Sequence, residues 1–191
     1  MAAMQDQGED WDIVWTYRNG LFADSGFDVQ TRLQASETWS DAAVQLKSAT
    51  KGYIKIAVSG YPTCRKGVAE AEFSITEMNT TVNGFRFLLS NGACGCQTMV
   101  CRSGSDIALM YTSGAISDTP VNISLCTINI GETYRLKLDF DETSGNRIYV
   151  NDRLLYETDV FSSYYCTGNR FFAQDACTFN MYSLRYKFLE V

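Results

Sequence analysis

The stretch RLKLDFDETSGNRIYVNDRLLYE, from Arg135 to Glu157, constrains this chain more than any other. Tyr134, Leu136, Leu138 and Phe140 share one parity, and Arg135, Lys137 and Asp139 share the other. A period of two is the mark of a half-buried antiparallel strand with its apolar side turned inward. Thr143-Ser144-Gly145-Asn146 then reverses the chain, and Ile148 and Val150 continue the apolar parity. Asn151-Asp152 reads as a two-residue hairpin loop, because both residue types tolerate positive φ. The segment predicts three consecutive antiparallel strands with one face in a core.

The rest of the chain repeats this grammar. Trp11, Ile13, Trp15 and Tyr17 alternate with Asp12, Val14 and Thr16 as a first strand, and Asn19-Gly20 turns it. Leu21 to Asp28 reads as a loop, followed by short strands at Val29–Gln34 and Thr38–Lys47. Ile54, Ile56 and Val58 mark another strand. Ala71, Phe73 and Ile75, then Asn83-Gly84, then Phe85, Phe87 and Leu89 read as a hairpin from Ala69 to Asn91. Gln97–Arg102, Ile107–Thr112 and Val121–Thr127 follow, and Phe179 to Leu189 closes the series with Leu184, Tyr186 and Phe188 on one parity. About a dozen strands with turn signals every ~8–12 residues point to a sandwich or barrel. No helical period, heptad or internal repeat competes with that reading.

One all-β domain over residues 11–191 is the economical division, with residues 1–10 as a flexible N-terminal arm. Aromatic residues make up 13% of the chain, eleven Tyr and eleven Phe among them, which suits pleated, half-buried surfaces. The formal net charge is −6, and Lys and Arg are scattered singly. A nucleic-acid partner needs a basic stripe, so none is expected. No run reaches the ~18 apolar residues of a membrane span, and MAAMQDQGEDWDIVW lacks the pattern of a secretory signal. Synthesis in a cytosol without membrane insertion is the expectation.

The order of elements resembles a known superfamily. The run from Tyr134 to Tyr156 is similar to the late strands of laminin-G-like and concanavalin-A-like domains, where "Tyr-Val-Asn-Gly" is common; Asp152 stands here in place of that Gly. The opening WDIVWTYRNGLFADSGF, with Gly20, Leu21, Asp24, Gly26 and Phe27, resembles such modules in virion proteins of tailed phages. The resemblance implies an all-β, concanavalin-A-like jelly-roll sandwich of two antiparallel sheets. It further implies a virion structural protein made in the bacterial host cytoplasm: a head fibre, capsid decoration or tail-fibre surface domain. Other virion proteins would be its partners and a homotrimer its assembly. The alternative is a lectin that reads host-cell surface polysaccharide; a glycanase of the same fold comes third. Fold alone does not choose among these.

Glycanases of this fold carry an ExDxE run on one strand, and the nearest approach here is Glu70-Ala71-Glu72, which reads as a solvated outer face. The chain has no His, which removes Ser-His-Asp and Cys-His chemistry. A binding role without catalysis is therefore expected. Glycan contact needs flat rings beside polar groups, and Trp39, Tyr61, Tyr111, Tyr164 and Tyr165 lie in or near loops. No cofactor is required, but two metals are conceivable. Asp139, Asp141 and Glu142 gather oxygens suited to calcium, and Cys94, Cys96 and Cys101 could contribute thiolates to zinc. Seven Cys (Cys64, Cys94, Cys96, Cys101, Cys126, Cys166 and Cys177) otherwise read as buried small hydrophobes.

Overall fold

The computed structural model describes residues 10–33, 35–49, 51–60, 64–81, 84–113, 121–162 and 168–190. The expected arm therefore lies outside the described residues except for Asp10, as do Tyr61, Tyr164, Tyr165 and Cys166.

Fifteen strands and one 3-10 turn (Phe22–Ser25) are described. They are β1 (Ile13–Thr16), β2 (Phe27–Arg32), β3 (Ser36–Trp39), β4 (Val44–Ser48), β5 (Tyr53–Val58), β6 (Lys66–Met78), β7 (Phe85–Ser90) and β8 (Gly95–Ser103). Then come β9 (Asp106–Ser113), β10 (Val121–Thr127), β11 (Thr133–Asp141), β12 (Gly145–Val150), β13 (Arg153–Thr158), β14 (Arg170–Gln174) and β15 (Cys177–Glu190). An eight-stranded sheet runs β13-β12-β11-β6-β15-β4-β3, with β1 also paired to β15. A seven-stranded sheet runs β10-β9-β8-β7-β14-β5-β2. Every described pairing is antiparallel.

Period-two alternation sorts the side chains as the sequence predicts. Leu136, Leu138 and Phe140 of β11 face inward with Ala69, Ala71, Phe73 and Ile75 of β6, all essentially inaccessible. From the other sheet come Phe85, Phe87 and Leu89 of β7, Ile54 and Ile56 of β5, and Phe171 of β14. Phe73 and Phe179 of one sheet meet Phe85 and Phe171 of the other, at centroid distances of 4.6 Å (Phe73–Phe85), 5.0 Å (Phe85–Phe171), 5.0 Å (Phe171–Phe179) and 5.9 Å (Phe85–Phe179). Along β15 the inward parity switches from Phe179 and Met181 to Leu184 and Tyr186. A bulge between Met181 and Ser183 absorbs the extra residue and keeps both halves in the core.

The three-strand reading of Tyr134 to Tyr156 holds. Asn151 and Asp152 have φ of 51° and 65°, the left-handed pair of a two-residue hairpin whose twist matches its strands. Gly145 starts β12 instead of ending the turn; its φ is +107°, and a Cβ there would lie 2.4 Å from the Thr158 carbonyl oxygen.

Four expectations are corrected. The runs around Ala69–Asn91 do not form a hairpin: β6 and β7 lie in different sheets, and the chain crosses over between them. Thr38–Lys47 is not one strand, because Ser40 closes a turn between β3 and β4 by accepting from the amides of Ala42 and Ala43. The Leu21–Asp28 loop contains the 3-10 turn, where Phe22 stacks on Trp15 at 4.0 Å, and the start of β2. Strand β14 was not foreseen.

Phe171 and Phe172 are neighbours on opposite sides of β14, one in the core and one on the outer face. Phe171→Ala should therefore cost about 3–5 kcal/mol in urea unfolding, whereas Phe172→Ala should cost under about 1 kcal/mol.

Candidate functional site

The two outer faces differ in kind. On the eight-stranded sheet, charges pair with one another. The Arg185 guanidinium donates to Glu70 at 2.6 and 3.0 Å and lies 5.0 Å above the Trp11 ring. Arg147 bridges Glu157 at 2.7 Å and Asp139 at 3.6 Å, and Lys137 sits 6.0 Å over Tyr149. Glu70 is only 6% exposed, which corrects its reading as a solvated residue. Ion pairs and cation–π contacts join the charges of this face, while the buried Trp11 Nε1, Arg135 Nε and Ser183 Oγ have no hydrogen-bond partner among the described residues.

The outer face of the seven-stranded sheet is built differently. Strand register places one residue from each strand in a row: Gln30, Lys55, Phe172, Arg86, Met99, Met110 and Ser124. The row is about 29 Å long at ~4.8 Å per strand, room for several sugar rings. Beside it run Asp28, Ala57, Arg170, Leu88 and Gln97, also in register. Tyr53 and Phe172 meet at 5.3 Å, and the Arg170 guanidinium lies 5.8 Å from the centre of Phe172. Both rings are half-buried, so each offers part of an apolar surface to solvent.

Gln97 stands out within this face. It is 1% exposed, yet its Nε2 amide has no hydrogen-bond acceptor among the described residues. A buried donor without an acceptor costs about 1–3 kcal/mol. Further along, the Thr112 hydroxyl donates to Asn122 Oδ1 at 3.0 Å and continues the polar line to the β10 edge. Rings, thioethers, amides and cations thus alternate on a rigid sheet. That mixture suits an amphipathic ligand with many hydroxyls.

The foreseen aromatic contacts fare otherwise. Tyr111 is fully buried, an inward residue of β9. Its hydroxyl accepts from Asn146 Nδ2 at 2.8 Å and donates to the Val160 carbonyl, joining the two sheets. It cannot touch a glycan, and its parity with Ile107 and Leu109 was the available signal. Trp39 is half-buried on β3 and packs on Trp15 at 6.0 Å and Phe22 at 5.7 Å. It also donates to Glu37, whose carboxyl burial holds above the usual carboxylate range. Tyr61, Tyr164 and Tyr165 lie outside the described residues.

Neither foreseen ligand set is assembled as one; among the described residues no three Cys, Asp or Glu side chains are grouped to hold a metal ion. Asp139 is paired with Arg147, and burial raises its carboxyl above the ordinary value. Asp141 accepts from Thr143 N and Oγ1 at 2.9 and 2.7 Å and meets Lys66 at 3.1 Å. Glu142 meets Arg65 at 2.9 Å and accepts from Asn91 Nδ2 at 3.0 Å. These three oxygen sets therefore answer to the turn and to cations of the chain itself. As for the thiols, Cys96 and Cys101 are five residues apart on β8, so one enters the core and the other lies on the outer face. Cys94 sits half-buried before the strand, and burial raises its thiol and that of Cys101 above the ordinary range. Burial pushes Cys64 and Cys177 up to about 12.

No family model matches the sequence, and no curated protein matches it. Solved structures do. A sialidase superposes on 94% of this chain with a TM-score of 0.64 at 9% identity, and this chain spans 19% of it. The carbohydrate-binding module CBM66 of Bacillus subtilis matches 85% of this chain and 95% of its own, with a TM-score of 0.54 and 14% identity. A carbohydrate esterase of the Shiga toxin-encoding bacteriophage phi24B matches 92% of this chain and 99% of its own, with a TM-score of 0.58 and 14% identity. The fold is a concanavalin-A-like jelly roll. At these identities the likeness is one of fold, and this chain spans only about a fifth of the sialidase.

The hydrogen bonds and Lys66 hold the Asp141 carboxyl well below its ordinary value. Stability from this turn is therefore fully present above the unfolded Asp pKa near ~3.9 and is lost as pH falls through the lower folded value. Asp141→Ala should melt below the wild type at pH 7, and the gap should close towards pH 2 in thermal scans.

Proposed function

We propose that this protein is a carbohydrate-binding module that lays a surface polysaccharide across the outer face of its seven-stranded sheet, and that it binds without cleaving. The observation that carries the reading is the half-buried Tyr53–Phe172 ring pair, with Phe172 in one row with the exposed Gln30 amide and the half-buried Lys55 and Arg86. Sugars present hydroxyls to amides and C–H faces to rings, and this face offers both within adjacent rows. Likeness in fold to a carbohydrate-binding module supports it. The charges on this face do not favour hydrolysis. Its strand acids are Asp28 on β2 and Asp106 on β9. They are five strands apart, about 24 Å, whereas a hydrolytic carboxylate pair needs ~5–9.5 Å.

A phage-particle setting is the second part of the reading, as a head-fibre, decoration or tail-fibre surface domain docked on other virion proteins. It is favoured by the phi24B match, which covers both chains almost end to end. Labelling of intact particles by an antibody to this chain tests that setting separately from sugar binding.

Calorimetric titration with bacterial surface polysaccharide fragments tests the binding. Saturable binding is expected, weakened at least about tenfold by Phe172→Ala and by Tyr53→Ala, or ~1.4 kcal/mol each. Wild-type affinity in Phe172→Ala, or no binding to any bacterial polysaccharide, would contradict the reading.

A further inference from the structure

A sheet edge offers unpaired backbone donors and acceptors to any strand that reaches it, and proteins commonly guard such edges with charge. Three of the edge strands here are guarded. Strand β13 carries Arg153 and Glu157, β2 carries Asp28 and Arg32, and β3 turns Glu37 inward. Short β1 is uncharged, but its side chains are buried or half-buried. Strand β10, VNISLCT, has no charged residue, and its first four side chains are exposed. Val121 is 58% and Ile123 36% exposed, and among the described residues β10 pairs only with β9. Ile123 stands opposite Tyr111 of β9. The bulge after Ser124 twists the later residues away and leaves Val121–Ser124 as the regular, open segment.

We propose that the β10 edge, over Val121–Ser124, pairs with the same edge of a second copy. A second copy is favoured on charge. In a chain of net charge −6, like molecules repel, and this uncharged edge is where two copies can meet without opposing like charges. Antiparallel pairing of a strand with its own copy is isologous and closes at two, in place of the threefold assembly that the resemblance implies. The twofold axis stands perpendicular to the joined sheets. Both outer faces therefore look the same way, and two copies present their glycan faces side by side. Resting on the proposed binding role, this makes the dimer bivalent towards a polysaccharide surface.

Light scattering and sedimentation of the full chain, without sugar, test the pairing. A dimer is expected at ~100 µM, and Ile123→Lys should give a monomer with unchanged circular dichroism and the melting temperature of the diluted, dissociated wild type. Amides of Val121–Ser124 should lose hydrogen-exchange protection on dilution in the wild type. A wild-type monomer or trimer, or an Ile123→Lys variant that stays dimeric, would overturn the proposal. Ile123→Lys should also bind a short soluble oligosaccharide like the wild type but release immobilised polysaccharide at least tenfold faster. Equal release from a proven monomer would overturn bivalency and leave the sugar-binding face untouched.

Discussion

The contact between Phe73 and Phe179 of one sheet and Phe85 and Phe171 of the other holds the two layers in place. Rings at 4.6–5.9 Å interlock across the layer boundary and exclude water from a large apolar area. Each ring belongs to a strand whose alternate residues then face outward without choice. Once Phe171 is inward, Phe172 must be outward, and so must Arg170. The candidate binding face is thus a by-product of the core: seven strands fixed from behind, each presenting the residues that the core does not take. A surface fixed in this way is preorganised, which limits the entropy lost when a flexible polysaccharide settles on it.

The two outer faces show how the same geometry can serve different ends. On the eight-stranded sheet, Arg185, Glu70, Arg147 and Asp139 satisfy one another, and Trp11 covers the closest pair. On the seven-stranded sheet, the half-buried Tyr53 and Phe172 rings lie where a ligand can meet them. Burial decides the chemistry of the thiols as well. Cys64 and Cys177 are held as unreactive thiols inside the core, behaving as small apolar side chains.

Period two made much of the fold legible. From Tyr134 to Tyr156 the alternation is clean, and Asn151-Asp152 carries the local chemistry of its own turn. Between β6 and β7 the same signals misled. Two alternating runs around Asn83-Gly84 read as a hairpin, but which sheet a strand joins is decided by core packing far away in sequence. Strand β14 was invisible for a related reason: Phe on both faces erases the alternation. Tyr111 was misjudged by proximity to a loop, although its parity with Ile107 and Leu109 marked it as core. The candidate face could not be read at all, because Lys55, Arg86, Gln97 and Phe172 come together only through strand order.

The central claim is that the outer face of the seven-stranded sheet is the ligand face. Nuclear magnetic resonance mapping during titration with a polysaccharide fragment tests it most directly. The account predicts that shifts concentrate at Gln30, Lys55, Arg86 and Phe172, including the side-chain amide of Gln30. Shifts concentrated instead around Glu70, Arg147 and Arg185, on the opposite side of the sandwich, would contradict it.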